Sequence, residues 1–315
     1  MSVVFWLLTC LLLLLAICWL WTLRLAAGAE NTVPPAGQIL PVSGGAIHYT
    51  DEGPRDGQTL VLIHGLAGTM HNLTYALAGQ LSSDFRVITI DRPGSGYSTR
   101  IRDDLAQLPA QARMVCEFLD KLGVQNPVLV GHSLGGALAL AMVMECKRPI
   151  GALALLAPLA AVIPEPPAVF RSLVVVSAFL RRLIGHTVAA PIAKLTSEKV
   201  LAQVFAPEKA PGDFKVRGGG ILGLRPASFI SASADLLGAT ASMSDQVARY
   251  AAELDVPGGI LFGTDDRLLS PDVHGRAMQA YGLHCETLPG RGHMIPVTAP
   301  EACADFIRRM AAMAG

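Results

Sequence analysis

The sequence predicts an α/β protein in which helices cover a mostly parallel sheet, preceded by an apolar helix and interrupted by one helical insertion. Short apolar runs alternate with segments of helical periodicity, which is typical of parallel strands buried on both faces. One long segment breaks this alternation, and an uncharged stretch lies at the N-terminus. The 315 residues are 51% hydrophobic and 16% charged, enough for one sizeable core, and zero net charge gives no indication of nucleic-acid binding.

Residues 3–23 carry no charge and are long enough to cross a bilayer. Tryptophans, whose rings favour the membrane interface, lie near both ends of this stretch at Trp6, Trp19 and Trp21. We therefore expect residues 1–29 to form a single-pass membrane anchor.

Two properties of the anchor stay open at this point. Residues 27–29, AGA, match the small-residue pattern of a signal cleavage site, and cleavage there would give a secreted or periplasmic protein. Arg24 is the only basic residue near the apolar stretch and favours a cytoplasmic location for the rest of the chain. A single charge specifies the side of the membrane only weakly.

Residues 30–37, ENTVPPAG, have the composition of a short extended linker. The core is then predicted in two pieces, residues 38–158 and 235–315. Apolar runs predict strands at residues 39–42, 46–51, 59–63, 86–90, 128–130, 152–156, 260–262 and 286–288. Helical periodicity predicts helices at residues 70–81, 103–122, 134–147, 235–253, 272–281 and 300–313.

Residues 159–234, called the insertion below, have no clear strand pattern and are predicted to form a mostly helical lid. An insertion of this length between two strands is usually functional. Its stretch 168–185 is expected to be a buried helix that covers the functional site. The alternative is contact with a bilayer, with apolar side chains in the interface and anionic headgroups bound by Arg171, Arg181 and Arg182.

Six cysteines are spread along the chain, and no pair has the spacing of a metal site. Cys116 and Cys146 fall in segments predicted to be buried helix, so we expect small hydrophobic residues rather than disulfide partners. A surface or capping position is expected for the histidines without paired ligand spacing, which are His48, His71, His186, His274 and His284.

Residues 131–135, GHSLG, fit the G-x-S-x-G pattern and stand between a predicted strand and a predicted helix. A serine hydroxyl is a weak nucleophile unless a base removes its proton. At a strand–turn–helix corner its oxygen is exposed, and the free N–H groups of the helix are directed towards charge that develops there. Ser133 is therefore the candidate nucleophile. The glycine-containing turn DRPGSGYS, residues 91–98, lacks the lysine and spacing of a phosphate-binding loop and is expected to be structural.

With this motif, the chain resembles the α/β-hydrolases of the lidded, lipase- and esterase-like kind over residues 38–313. In that family an acid and then a histidine follow the nucleophile. The resemblance assigns the acid to Asp266 in LFGTDDRLLSP, with Asp265 as the alternative, and the histidine to His293 in LPGRGHMIP. An extra residue before Pro271, compared with the commoner pattern, loosens the choice between the two aspartates.

The resemblance also implies an oxyanion hole formed by the backbone N–H groups of Leu66, in the loop HGLAGT, and Leu134. We expect a membrane-anchored serine hydrolase that cleaves carboxylic esters with apolar or lipid-like acyl groups, without metal or organic cofactor. The alternatives are a carbon–carbon bond hydrolase, an amidase or a thioesterase with the same triad, or a non-catalytic ligand-binding protein. The natural substrate and the oligomeric state stay open.

Overall fold

The computed structural model describes residues 3–314, which fold around one central sheet. Its nine strands are β1 Gln38–Val42, β2 Gly45–Glu52, β3 Thr59–Ile63, β4 Arg86–Ile90, β5 Thr99–Arg100, β6 Val128–His132, β7 Ala152–Leu156, β8 Gly258–Gly263 and β9 His284–Leu288. The strand order is β1-β2-β4-β3-β6-β7-β8-β9, and the short β5 pairs with β2. In this order, every neighbouring pair from β4-β3 through β8-β9 is parallel. Strand β2 is antiparallel to β1, β4 and β5.

The helices are α1 Val3–Thr32, α2 His71–Thr74, α3 Ala78–Leu81, α4 Leu108–Lys121, α5 Leu134–Glu145, α6 Ala178–His186, α7 Ala189–Phe205, α8 Phe214–Arg217, α9 Pro226–Glu253, α10 Pro271–His274, α11 Ile295–Thr298 and α12 Pro300–Ala311. Short 3-10 helices occur at Asp103–Ala106, Ala168–Leu173, Gly220–Leu224 and Arg276–Tyr281. The predicted α/β architecture and mostly parallel sheet are confirmed. Single predicted helices at 70–81 and 272–281 are each divided into two short helices.

The central strands β3, β6, β7 and β8 are buried along their whole length. Helices cover both faces of a parallel sheet, so its strands consist almost entirely of apolar residues and lack the alternation of a half-exposed strand. Because these strands run in the same direction, their carboxyl ends meet at one edge. The loops that follow β3, β6, β8 and β9 are brought together there.

The apolar helix α1 continues to Thr32, into the segment that the composition indicates as extended. Residues 3–21 are predominantly exposed, whereas the part of α1 from Thr22 onwards contacts the insertion. The Thr22 hydroxyl donates to the Thr187 carbonyl at 2.6 Å, and the Arg225 guanidinium binds Glu30 at 2.7 Å. The apolar helix is therefore packed against the insertion at its C-terminal part, and only a short extended segment links it to β1.

The stretch 168–185 differs from the single buried helix predicted for it. It forms a 3-10 helix, a non-helical segment with three valines and nearly all of α6, and it leaves Val176 79% and Phe179 73% exposed. Prolines precede the stretch, and adjacent β-branched residues lower helix propensity, which together favour this broken conformation. Helix α9 crosses the predicted boundary at residue 234, so the insertion and the core share one continuous helix.

The prediction that the cysteines form no disulfide is wrong for one pair. Cys116 of α4 and Cys146 at the end of α5 are bonded, with their Cα atoms 5.5 Å apart. Both cysteines lie where two helices pack side by side, and sequence periodicity alone did not reveal that these two helices are neighbours. The disulfide links the end of α5 that is remote from Ser133 to the adjacent helix.

His64, His132 and His274 lie buried near the carboxyl edge of the sheet, and His48 is buried beside Asp91. The surface position expected for His48 and His274 is therefore wrong. Burial lowers the pKa of His64 to about 4, with a further contribution from Arg92. Burial also lowers the pKa of His132 to about 3, helped by His293, and that of His274 to about 4. All three rings are therefore neutral in the folded protein at neutral pH.

We expect loss of the disulfide to destabilise the fold. The Cys116→Ala/Cys146→Ala variant should lose about 3 kcal/mol of unfolding free energy, because the bond closes a loop with a sequence separation of 30 residues. Urea unfolding measures this, with Cys285→Ala as the control for the loss of a free, partly buried cysteine, which should cost less. A double variant as stable as the wild type would contradict the bond.

We also expect the fold to weaken as the pH falls from about 6.5 to about 4. In this range the unfolded histidines, with an ordinary pKa of 6.5, bind protons that the native rings with pKa values of about 4, 3 and 4 do not. Each contributes a slope of about 1.4 kcal/mol per pH unit. His274→Asn should reduce the measured slope by about one such contribution. A stability that is flat between pH 7 and about pH 4.5 would refute the neutral rings.

Candidate active site

Ser133 lies on the turn between β6 and α5 with a backbone φ of +54° and ψ of −121°. A positive φ is costly for a residue with a side chain, and such strain is concentrated at functional sites. The Ser133 amide donates to the Leu156 carbonyl at 3.1 Å, and its carbonyl accepts from the Leu159 amide at 2.9 Å. These bonds fix the strained turn to the end of β7.

Glycines on both sides make this turn sterically feasible. A Cβ atom on Gly131 would lie 2.6 Å from the Gly135 carbonyl oxygen, and one on Gly135 would overlap the Ile63 carbonyl oxygen. A Cβ atom on Gly65, in the loop after β3, would lie 2.9 Å from the Ser133 Cβ. Helix α5 and the loop after β3 can therefore approach Ser133 only because these positions lack side chains.

His293 and Asp266 form a buried pair on the loops after β9 and β8. The Nδ1 atom of His293 lies 2.7 Å from Oδ2 of Asp266. The other carboxylate oxygen, Oδ1, accepts the amide N–H groups of Leu268 and Leu269 at 2.8 and 3.0 Å. Burial raises the pKa of Asp266, but the interaction with His293 and the amide bonds outweigh it, so the net pKa is below the ordinary value. The carboxylate of Asp266 is therefore held as an anion that accepts a hydrogen bond from the Nδ1 N–H group of His293.

Asp265, the alternative acid, is exposed and accepts a bond from the Thr264 hydroxyl at 3.0 Å. Its backbone amide donates to the Arg291 carbonyl at 2.9 Å. This residue joins the loop after β8 to the loop after β9. Of the two candidate acids, Asp266 is the one hydrogen-bonded to His293.

Leu66 and Leu134, whose amides the sequence assigns to the oxyanion hole, both line the cavity that contains Ser133. The next residue in the loop, Ala67, has a φ of +54°, so this chain segment makes a sharp turn beside the serine. Two amide-bearing segments, one after β3 and one at the start of α5, thus border the same space.

A buried network holds the loop after β3. The Arg92 side chain donates to the carbonyls of His64 and Gly65 at 3.0 and 3.2 Å, and its backbone amide donates to the His64 ring at 3.0 Å. Arg92 also pairs with Asp235 of α9 at 2.8 Å, and Asp235 pairs with Arg100 at 2.6 Å. The turn 91–98, expected to be structural, supports the loop beside Ser133 in this way.

Two neutral histidines hold other parts of the site. The Nε2 atom of His132 lies 3.1 Å from the His293 carbonyl, and the two ring centroids are 5.0 Å apart. The Nδ1 atom of His274 accepts the amides of Ala160 and Ala161 at 3.2 and 3.1 Å. Because both rings are neutral, they act as hydrogen-bonding supports for the histidine loop and for one wall of the cavity.

The cavity at Ser133 and His293 is bordered by both core and insertion. Its walls are mostly apolar, and the insertion contributes Leu159, Val162, Ile163, Pro166, Pro167 and Phe170. An apolar cavity with a few polar groups at one place suits an apolar group of a small molecule. Among residues 3–314, no three His, Cys, Asp or Glu side chains are grouped so as to hold a metal ion.

Sequence reasoning missed three residues that contact the site: Arg92, His274 and Glu208. Glu208 lies in the insertion and accepts the amide of Gly292, the residue before His293, at 2.9 Å. Arg92 belongs to the DRPGSGYS motif, so the sequence contained a local indication of its structural role. No local pattern indicated that the insertion contacts the histidine loop.

The alpha/beta hydrolase family model matches residues 60–306. The chain is 33% identical over 132 residues to a dihydrolipoyllysine-residue acetyltransferase component of the acetoin cleaving system of Pseudomonas putida, covering 41% of this chain and 35% of that protein. It is 38% identical over 90 residues to an sn-1-specific diacylglycerol lipase of Xenopus laevis, covering 28% of each chain. The chain thus spans about a third of the length of these relatives.

The esterase RhEst1 from Rhodococcus sp. ECU1013 has a similar structure, with a TM-score of 0.68 and 21% identity over 88% of this chain and 98% of that one. At this identity the likeness concerns the fold. The family model, in contrast, covers most of the chain, from β3 to α12. The chain therefore belongs to the α/β-hydrolase family.

Proposed function

We propose that the protein is a membrane-anchored serine hydrolase that cleaves carboxylic esters with apolar or lipid-like acyl groups. One observation carries the proposal: Ser133 and His293 border the same apolar cavity, and His293 is hydrogen-bonded to the buried Asp266. A histidine oriented by a carboxylate beside a strained serine is the arrangement that activates a hydroxyl for acyl transfer.

In the first half-reaction, Ser133 Oγ attacks the ester carbonyl carbon while His293 Nε2 takes the hydroxyl proton. The oxyanion that forms accepts hydrogen bonds from the amides of Leu66 and Leu134. His293 then gives the proton to the departing alcohol, and the acyl group stays on Ser133. In the second half-reaction His293 deprotonates a water molecule, whose oxygen attacks the acyl carbon of the acyl-enzyme. His293 then returns this proton to Ser133 Oγ as the acyl–oxygen bond breaks, which releases the carboxylic acid and restores the serine.

Asp266 keeps the Nδ1 proton of His293 directed away from the cavity, so the lone pair of Nε2 is available as the base. The carboxylate also stabilises the imidazolium that exists after each proton transfer. Its two amide bonds, from Leu268 and Leu269, prevent the carboxylate from rotating away. This environment supports Asp266 rather than Asp265 as the acid.

The apolar lining of the cavity supports a substrate with an apolar acyl group. Aliphatic residues line it, and neither a lysine nor an arginine is among the lining residues within 3–314, so a charged acyl chain would lose its hydration without a partner. We assign the insertion as the lid of this cavity, since its residues 159–170 form one wall. The name of the sn-1-specific diacylglycerol lipase of Xenopus laevis gives a substrate of this class, and the match covers 28% of that lipase.

We infer that α1 is a retained anchor and that the hydrolase body lies on the oxidising side of the membrane. The apolar helix is long enough to span a bilayer, and its contacts at Thr22 and Glu30 flank the cleavage-like residues 27–29. Ala29 is buried within these contacts. A Cys116–Cys146 disulfide persists in oxidising compartments, which favours the side opposite to the one that Arg24 alone suggests.

We further propose that the lid contacts the bilayer next to the anchor. Helix α7 packs against α1 and exposes Ile192 and Leu195 beside Lys194 and Lys199. In α6, Phe179 is similarly exposed. Apolar side chains flanked by lysines suit an interface with anionic lipids, and the anchor holds this surface close to the membrane.

The same triad can also cleave amides, thioesters or a carbon–carbon bond next to a ketone. Dehalogenase and epoxide-hydrolase chemistry in this fold requires a carboxylate nucleophile, so a serine at position 133 disfavours both. A non-catalytic binding protein would not need the His293–Asp266 pair, which is complete here. The apolar cavity favours the ester of an apolar acid.

We expect the wild type to react with a fluorophosphonate probe and to hydrolyse p-nitrophenyl esters, and Ser133→Ala to do neither. Asp266→Asn should lower kcat by about 10⁴-fold, because it favours the wrong histidine tautomer. The matched variant Asp265→Asn should stay close to the wild type. Initial rates across acetyl to palmitoyl esters measure the acyl preference.

A folded wild type that is not labelled by the probe would favour a binding protein. A labelled enzyme that is inactive on every ester would instead favour an amide or carbon–carbon substrate. Equal losses for the two aspartate variants would contradict the assignment of the acid.

We expect the exposed apolar side chains of α6 and α7 to affect the rate of hydrolysis only when the substrate is held in a bilayer. In the full chain, Phe179→Ser/Leu195→Ser should slow hydrolysis of dioleoylglycerol in vesicles by about 100-fold, because the two apolar side chains each lose at least about 1.5 kcal/mol of burial in lipid. Hydrolysis of soluble p-nitrophenyl butyrate should be unchanged. Met313→Ser, an exposed position on the core, is the control. Equal rates on vesicles for both variants would refute contact between the lid and the bilayer.

A further inference from the structure

The turn that follows α7 lies directly against the loop that carries His293. Glu208, on this turn, makes three hydrogen bonds with the histidine loop and the helix after it. Its Oε2 atom accepts the Gly292 amide at 2.9 Å and the Thr298 hydroxyl at 3.0 Å, and its Oε1 atom accepts from Arg291 at 2.7 Å. The Glu208 side chain is only 16% exposed, so water competes little for these bonds.

The contact extends to the other side of His293. Phe205, the last residue of α7, is fully buried and clusters with Met294 and Val297. A Cβ atom on Gly292 would overlap the Ala206 carbonyl oxygen, so the turn approaches the loop as closely as a glycine allows. Residues 205–208 therefore enclose the loop both before and after the histidine.

The geometry points to Glu208 as a positioning residue that sets the place of the His293 ring from within the insertion. Glu208 fixes the peptide before His293, while His132 binds the carbonyl of His293 itself at 3.1 Å. With the backbone held at both ends, the ring has one position from which Nδ1 reaches Asp266 and Nε2 faces the cavity. This inference rests on the proposed role of His293 as the base.

The charge and length of Glu208 suit this task. A carboxylate is a stronger acceptor for a backbone N–H than a neutral group, and it offers two oxygens for the three donors around it. Gly292 has no side chain of its own to limit its backbone, so without Glu208 the loop would have wider conformational freedom. A displacement of the ring by about 1 Å is enough to reduce catalysis by about 100-fold.

The test compares Glu208→Ala, Glu208→Gln and Asp213→Ala in the full-length chain. Asp213 is the matched control, because it is another insertion carboxylate bound to the core, through the Tyr75 hydroxyl at 2.7 Å, and it does not touch the histidine loop. For each variant, kcat and KM for p-nitrophenyl butyrate, the rate of fluorophosphonate labelling and the Tm are measured.

We expect Glu208→Ala to lower kcat and the labelling rate by about 10- to 100-fold with KM within about twofold of wild type, since the ring is misplaced and the cavity is intact. Glu208→Gln, which keeps an oxygen for the Gly292 amide, should recover most of the loss. Asp213→Ala should lower the Tm less than Glu208→Ala, because the Asp213 side chain is 48% exposed, and it should retain wild-type kcat.

The inference is overturned if Glu208→Ala keeps kcat, if Asp213→Ala loses as much kcat as Glu208→Ala, or if Glu208→Gln shows no recovery. Failure of the proposed function has a different signature, because then the wild type itself neither hydrolyses the ester nor reacts with the probe.

Discussion

The site depends on a steric constraint at the carboxyl edge of the sheet: α5 must begin immediately after β6, in contact with β3. Gly135 lies against the backbone of Ile63 without room for a Cβ atom, and Gly131 lies against the backbone of Gly135 with too little room for one. This close packing leaves Ser133 at a φ of +54°, a conformation that the chain would not adopt without it. The buried strands supply the stability that offsets the strain, so the position of the serine follows from the packing of the core.

The second requirement of the site is that each buried charged side chain has a partner of opposite charge. Arg92 and Asp235 have no exposed side-chain surface, and an unpaired charge at such a depth would be strongly destabilising. Arg92 is directed to the carbonyls of His64 and Gly65 on one side and to Asp235 of α9 on the other. The network therefore connects the loop beside Ser133 to the helix that returns from the insertion. Such a pair specifies an arrangement of segments more than it adds net stability.

The sequence predicted the sheet well because a buried parallel strand needs a continuous apolar run, as in TLVLI, residues 59–63. Local motifs also led to Ser133, His293 and Asp266 as the proposed triad, of which His293 and Asp266 are hydrogen-bonded to each other. The sequence did not predict the disulfide, because pairing Cys116 with Cys146 requires knowing that α4 and α5 are neighbours. Glu208 was missed for a similar reason, since its partners lie more than eighty residues further along the chain and no local pattern marks it. Hydrophobic periodicity describes local structure and carries no information about which segments distant in the sequence are in contact.

Helix α7 is where these separate features meet. Its first turns follow Thr187, whose carbonyl binds Thr22 of the apolar helix, and its last residue, Phe205, packs against Met294 beside the proposed catalytic histidine. At a rise of about 1.5 Å per residue, a helix of this length spans about 25 Å as one rigid element. The same helix therefore contacts the apolar helix near its start and the histidine loop at its end. The segment that we propose as the lid thus also supports the backbone beside His293.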